Sequence, residues 1–128
     1  MKRLPVLRPL VGLALLAGIA AGCSSSSATP DTVPAGTDLE VRALSGLRFD
    51  KTSYEVAAGE SLVAYVNEDT IHHTLVVVKD GTTVSGFDLH VNRKGDVDSG
   101  SVTLEAGTYE LICTVPGHQS MKAELTVN

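Results

Sequence analysis

Three donor side chains crowd one short stretch near the C-terminus: Cys113, His118 and Met121 fall within the nine residues CTVPGHQSM. A thiolate, an imidazole and a thioether are soft and borderline ligands, which suit copper far better than magnesium or calcium. Pro116 and Gly117 shape a tight bend between them, so one short loop can bring all three to a point. Each has an ordinary reading by itself. A cysteine on an inward strand position is commonly inert core, and a lone methionine commonly packs. Their coincidence in one loop is what points to a metal. A fourth donor has to come from elsewhere, and further histidines stand upstream.

The elements that must position these donors read as short strands. Apolar residues alternate at Leu62, Ala64 and Val66, at Leu75 and Val77, and at Tyr109, Leu111 and Cys113, the period of a pleated strand. Turn signals at Ala58-Gly59-Glu60, Lys79-Asp80-Gly81, Lys94-Gly95-Asp96 and Ala106-Gly107 separate the runs. Strands are expected at 39–49, 53–57, 61–67, 73–79, 84–91, 100–104, 107–113 and 122–127. Within 84–99 the polar content also allows a loop or a short helix. No stretch sustains helical spacing for three turns, and there is no internal repeat. The pattern predicts an all-β domain, a Greek-key β-sandwich or barrel of seven to eight strands.

With loop and strands in place, the segment Cys-Thr-Val-Pro-Gly-His closely resembles the copper loop of azurins, which have an aromatic residue where Val115 stands. Upstream, LRFDKTSYEVAAGESLVAYVNEDTIHHTLVV resembles the opening strands of the same family, the cupredoxins or type 1 copper proteins. The resemblance covers residues 39–128. It implies one copper ion, with His73, Cys113 and His118 as equatorial ligands and Met121 as a weak axial one. Asn67 is then the family's asparagine six residues before the first ligand. Thr74 and Thr114 occupy places whose side chains often hydrogen-bond across the site. The loop departs from azurins in having only Gln119 and Ser120 between His118 and Met121. That leaves Met121 the least secure of the four.

Neighbouring residues have simpler readings. His72 adjoins His73, and neighbours on a strand point to opposite faces, so it is expected to be exposed or to offer an extra metal contact. His90 has no evident partner and reads as a surface or packing residue. Glu68 and Asp69 read as a solvated turn, or alternatively as an acidic docking patch for a basic partner. If the loop folds as in the family, Ile71, Val115 and Pro116 surround the exposed edge of His118.

At the other end, Lys2, Arg3 and Arg8 precede a 13-residue apolar run, Leu10 to Gly22, that stops at Cys23. The run falls short of the ~20 residues needed to cross a bilayer as a helix. A positive start, a short apolar core and small residues before the cut describe a signal peptide. Ala20, Ala21 and Gly22 before Cys23 resemble a bacterial lipoprotein signal, although the family usually has Leu where Ala20 stands. This implies a signal at 1–22, a lipidated Cys23, and a Ser/Thr/Pro-rich tether through residue 38. An ordinary signal peptide cut elsewhere is the alternative. Without lipid, Cys23 would also be free to form a disulfide with Cys113.

Composition narrows the function. Apolar residues make up 43% of the 128-residue chain and charged residues 20%, which suits one folded domain. Loss of residues 1–22 removes three of the 10 basic residues and none of the 15 acidic ones, leaving a charge of -8. With no basic stripe and no Trp, nucleic-acid binding is excluded. No nucleophile–base pair, phosphate loop or second metal motif suggests an enzyme. The expected function is a lipid-anchored, extracytoplasmic, monomeric carrier of single electrons between redox proteins. The alternative is a copper-handling protein that exchanges the ion with donor or acceptor proteins through the same residues. A third is a structural or adhesion-type β-sandwich whose metal site stays empty.

Overall fold

Alternation decides which side of each strand turns inward. The computed structural model describes residues 31–128. In it β1 (Leu39–Leu44) buries Leu39, Val41 and Ala43 and leaves the residues between them half-exposed. β3 (Ser53–Val56) and β10 (Lys122–Val127) follow the same period, burying Tyr54 and Val56, and Ala123, Leu125 and Val127. β4 (Gly59–Asn67) and β5 (His73–Lys79) are instead buried on both faces over much of their length, as fits central strands.

The remaining strands are β2 (Arg48–Phe49), β6 (Thr82–Thr83), β7 (Leu89–Val91), β8 (Val97–Leu104) and β9 (Gly107–Ile112). One sheet has the order β2-β1-β4-β8 and the other β3-β10-β9-β5-β6, with β7 paired to β5. β1 runs parallel to β4 and β3 parallel to β10, so the chain crosses between sheets instead of meandering within one. The result is an all-β Greek-key sandwich with no helix among the described residues. Tyr65, Leu75, Leu111, Met121 and Leu125 are completely enclosed between the sheets. Each contributes about 1.5–3 kcal/mol through removal from water. Cys113 belongs to the same apolar cluster, so the sulfur-bearing side chains are continuous with the core.

Boundaries differ from the sequence expectation by one or two residues at several ends and by more in three places. The strand expected over 39–49 is broken by a turn at Ser45–Leu47, where Gly46 (φ 90°) and Leu47 (φ 54°) adopt left-handed backbone and bring Ala43 opposite Phe49. The strand expected over 84–91 shrinks to Leu89–Val91. A short hairpin precedes it, turning through Asp80 (φ 48°) and Gly81 (φ 77°), the pair of left-handed residues that a type I′ turn requires. The strand expected at 100–104 begins earlier, at Val97, because β4 offers partners as far as Val66. Ten strands result instead of seven or eight. The signal segment and Cys23 lie outside the described residues. Residues 31–38 lie against the first sheet, with Asp38 N–H donating to the Leu62 carbonyl at 2.8 Å.

Candidate metal centre

β9 and β10 are antiparallel neighbours, and Ile112 stands opposite Lys122. That register places Cys113 and Met121 together at the root of the connecting loop, where the Cys113 N–H donates to the Met121 carbonyl at 3.2 Å. Two turns fill the loop. The His118 N–H donates to the Val115 carbonyl (3.0 Å), and the Met121 N–H to the His118 carbonyl (2.9 Å). The first turn carries Pro116 and then Gly117 at φ 88°, the type II arrangement, in which only the second central residue needs left-handed backbone. The sequence VPGH thus folds His118 back over its own strand.

His73 opens β5, which lies beside β9 with Val76 opposite Ile112. It is fully buried, as is Met121, while His118 is half-buried. One ligand atom each from His73, Cys113 and His118 lie within 4.8 Å of one another. The His118 Nδ1 is 3.7 Å from the Cys113 Sγ, and the two imidazole rings are centred 5.0 Å apart. Cys113 is a buried free thiol.

Polar contacts orient these groups. The His73 Nε2 meets the Asp69 Oδ2 at 2.9 Å, and its Nδ1 is buried without a hydrogen-bond partner. A buried polar atom left so costs about 1–3 kcal/mol. Here the carboxylate holds the proton on Nε2 and leaves the Nδ1 lone pair free, the usual arrangement of a metal-binding histidine. The Thr74 N–H donates to the Cys113 Sγ at 3.4 Å, and the Thr74 hydroxyl lies 3.6 Å from the same sulfur. That hydroxyl also meets the Thr114 Oγ1 and accepts the Thr114 N–H, each at 2.8 Å, tying β5 to the loop. Loss of hydration, then the proximity of the His73 ring, holds the pKa of the His118 imidazole below its ordinary range and keeps a lone pair available.

Asn67 is buried and shapes the approach to His73. Its Nδ2 donates to the Ile71 carbonyl (2.8 Å), and its Oδ1 accepts the Asp69 N–H (3.0 Å). This closed turn swings Asp69 inward. The sequence reading of Asp69 as solvated or docking is therefore corrected: it is buried. The hydrogen bond from His73, then the Thr70 N–H, holds its carboxyl below the usual range. Glu68 does face solvent, where it pairs with Arg42. His72 is half-buried, not exposed, with its Nδ1 2.7 Å from the Asn92 Oδ1. Ile71 is the exposed large apolar side chain among the described residues, at 44%. Val115 is half-buried against the core, and Pro116 is exposed.

A family model for copper binding proteins of the plastocyanin/azurin family matches residues 35–128. The chain belongs to this family. Among solved structures, this cupredoxin is similar to auracyanin B, with 28% identity and a TM-score of 0.55 over 77% of this chain and 92% of that one. An azurin from the obligate methylotroph Methylomonas sp. strain J gives 16% identity and a TM-score of 0.60, covering 73% and 99%. A purple cupredoxin from Nitrosopumilus maritimus gives 20% and 0.54, covering 71% and 100%. No relative was found among curated protein sequences. Copper is the cofactor of the family, and the donors present fit it: a buried thiol, a partnerless imidazole nitrogen and a second imidazole converge.

Proposed function

We propose that this cupredoxin carries single electrons, holding one copper ion through the His73 Nδ1, the Cys113 Sγ, the His118 imidazole and, more weakly, the Met121 thioether. The observation that carries the reading is the enclosed His73 Nδ1, partnerless beside a free thiol and a second histidine. Copper, when bound, supplies a one-electron couple. The protein's part is rigidity. Asp69 fixes one imidazole, the Thr74 N–H supports the sulfur as a thiolate, and the Thr74–Thr114 contact locks the loop to β5. Donors held in this way need little rearrangement when the charge at their centre changes, and small rearrangement favours fast transfer.

The same reading places the domain outside the cytoplasmic membrane, held by lipid on Cys23 and a tether, and exchanging electrons with redox partner proteins. Lys2, Arg3, Arg8 and the apolar run ending at Cys23 support it. A protein of this kind converts no substrate and acts as a monomer. Copper(II) titration followed by visible absorption tests the assignment. One equivalent should produce an intense blue or green band, and Cys113→Ser should abolish it while leaving the fold intact. Binding of copper(I) alone, without colour or reversible voltammetry, would instead indicate copper handling.

A further inference from the structure

His72 and His90 are not used by the buried centre, and the strand register brings them together. Val91 stands opposite His73, and His90 opposite Thr74, so His72, His90 and Asn92 cluster at one corner of the β5–β7 pair. Their rings are centred 5.6 Å apart and inclined by 34°. Two imidazoles sharing one divalent ion at ~2.0–2.1 Å hold their ring centres roughly 5–6 Å apart, so the spacing already suits a common ion.

Each ring is oriented through one nitrogen by an acceptor side chain. The Asn92 Oδ1 takes the His72 Nδ1 at 2.7 Å, leaving Nε2 free, and the Asp88 Oδ2 takes the His90 Nε2 at 3.2 Å, leaving Nδ1 free. This is the same tethering that Asp69 gives His73, repeated on the outer surface. The field is acidic as well. Asp88 is exposed beside His90, and the Asp98 Oδ2 accepts the His90 N–H at 2.8 Å. His90 is half-open to solvent, so an ion has direct access.

We propose that His72 and His90 form a second, surface site for a borderline divalent transition-metal ion. The His72 Nε2 and the His90 Nδ1 ligate it, water completes the coordination, and Asn92 and Asp88 orient the rings. The site takes zinc or oxidised copper, which favour imidazole, over magnesium or calcium.

Zinc is the probe. Calorimetric titration of the copper-loaded protein should show one zinc bound without change in the visible band. His72→Gln and His90→Gln should each weaken that binding by at least about tenfold, and the double variant should abolish it. In the metal-free protein, imidazole NMR makes the same distinction, with zinc shifting His72 and His90 in a step that survives loss of the buried site through His73→Gln. Undiminished zinc binding in the double variant, or no binding with millimolar zinc, would overturn the proposal. So would zinc shifts confined to His73 and His118.

Discussion

Replacing Asp69 by Asn changes one atom and should reverse the polarity of the histidine beside it. In the native protein the Asp69 Oδ1 accepts the Thr70 N–H at 2.7 Å and the Ser45 hydroxyl at 3.2 Å, while Oδ2 accepts the His73 Nε2–H at 2.9 Å. The amide oxygen of Asn will keep the Thr70 and Ser45 contacts, so its NH2 must face the imidazole. Two donors then oppose each other, and His73 relieves the conflict by moving its proton to Nδ1. That proton points at Cys113 and His118. A metal must displace it against the preference set by the new amide. Loss of such an orienting partner costs roughly 10–100-fold in metal affinity, about 1.4–2.7 kcal/mol. Chelator competition, read from the visible band of the copper(II) form, measures the affinity directly. Urea unfolding of the metal-free variant separates any loss of fold from loss of the site. An Asp69→Asn protein that binds copper within about twofold of the native value would refute the orienting role of the carboxylate.

Thr74→Val keeps the shape of the side chain but removes the acceptor of the Thr114 N–H and the contact with the Thr114 hydroxyl. It should lower the stability of the metal-free domain by about 1–3 kcal/mol, read from the urea midpoint at unchanged slope. Tyr65→Phe should act in the opposite direction, because the Tyr65 hydroxyl is buried without a partner and burial holds its pKa well above the ordinary range. A gain of about 1 kcal/mol and a higher calorimetric Tm are expected, and a lower Tm would contradict that assignment. Acid should destabilise the metal-free protein in two stages. His118 is held below its ordinary 6.5, so the unfolded chain takes up its proton first and stability falls as the pH drops below that value. Asp69 is held below 3.8, and its contribution, complete above that value, is lost at lower pH as the folded carboxyl protonates. His118→Gln should flatten the upper stage and leave the lower one.

Whatever is local in the chain was legible. Period-two alternation marks β9, apolar runs bounded by turn signals mark β4 and β5, and the VPGH turn announces the loop, because all of these depend on residues a few positions apart. The convergence of Cys113, His118 and Met121 is local in the same sense, and the structure brings these residues to one end of the core. The pairing of His73 with that loop spans 40 residues and came from the family resemblance, since residue spacing cannot reveal strand register. The burial of Asp69 is not legible in the sequence because acidic residues in turns are usually solvated. Its burial follows from the Asn67 bonds that close the turn, and the available signal was a carboxylate four residues ahead of a candidate ligand. His90 looked partnerless for a similar reason, since only the β5–β7 register sets it against His72. The break at Ser45–Leu47 has a signal in the Ser45-Gly46 pair, while the left-handed backbone of Leu47 is not advertised by its residue type.

In the proposed electron carrier, side chains from β5 and the β9–β10 loop meet on a single copper ion. Copper-edge X-ray absorption of the loaded protein reads its ligands without reference to colour or activity. One short sulfur scatterer and two imidazole nitrogens are expected, with the sulfur lost in Cys113→Ser and one imidazole lost in His73→Gln. A copper shell of nitrogen and oxygen alone in the native protein would rule out a site built on Cys113.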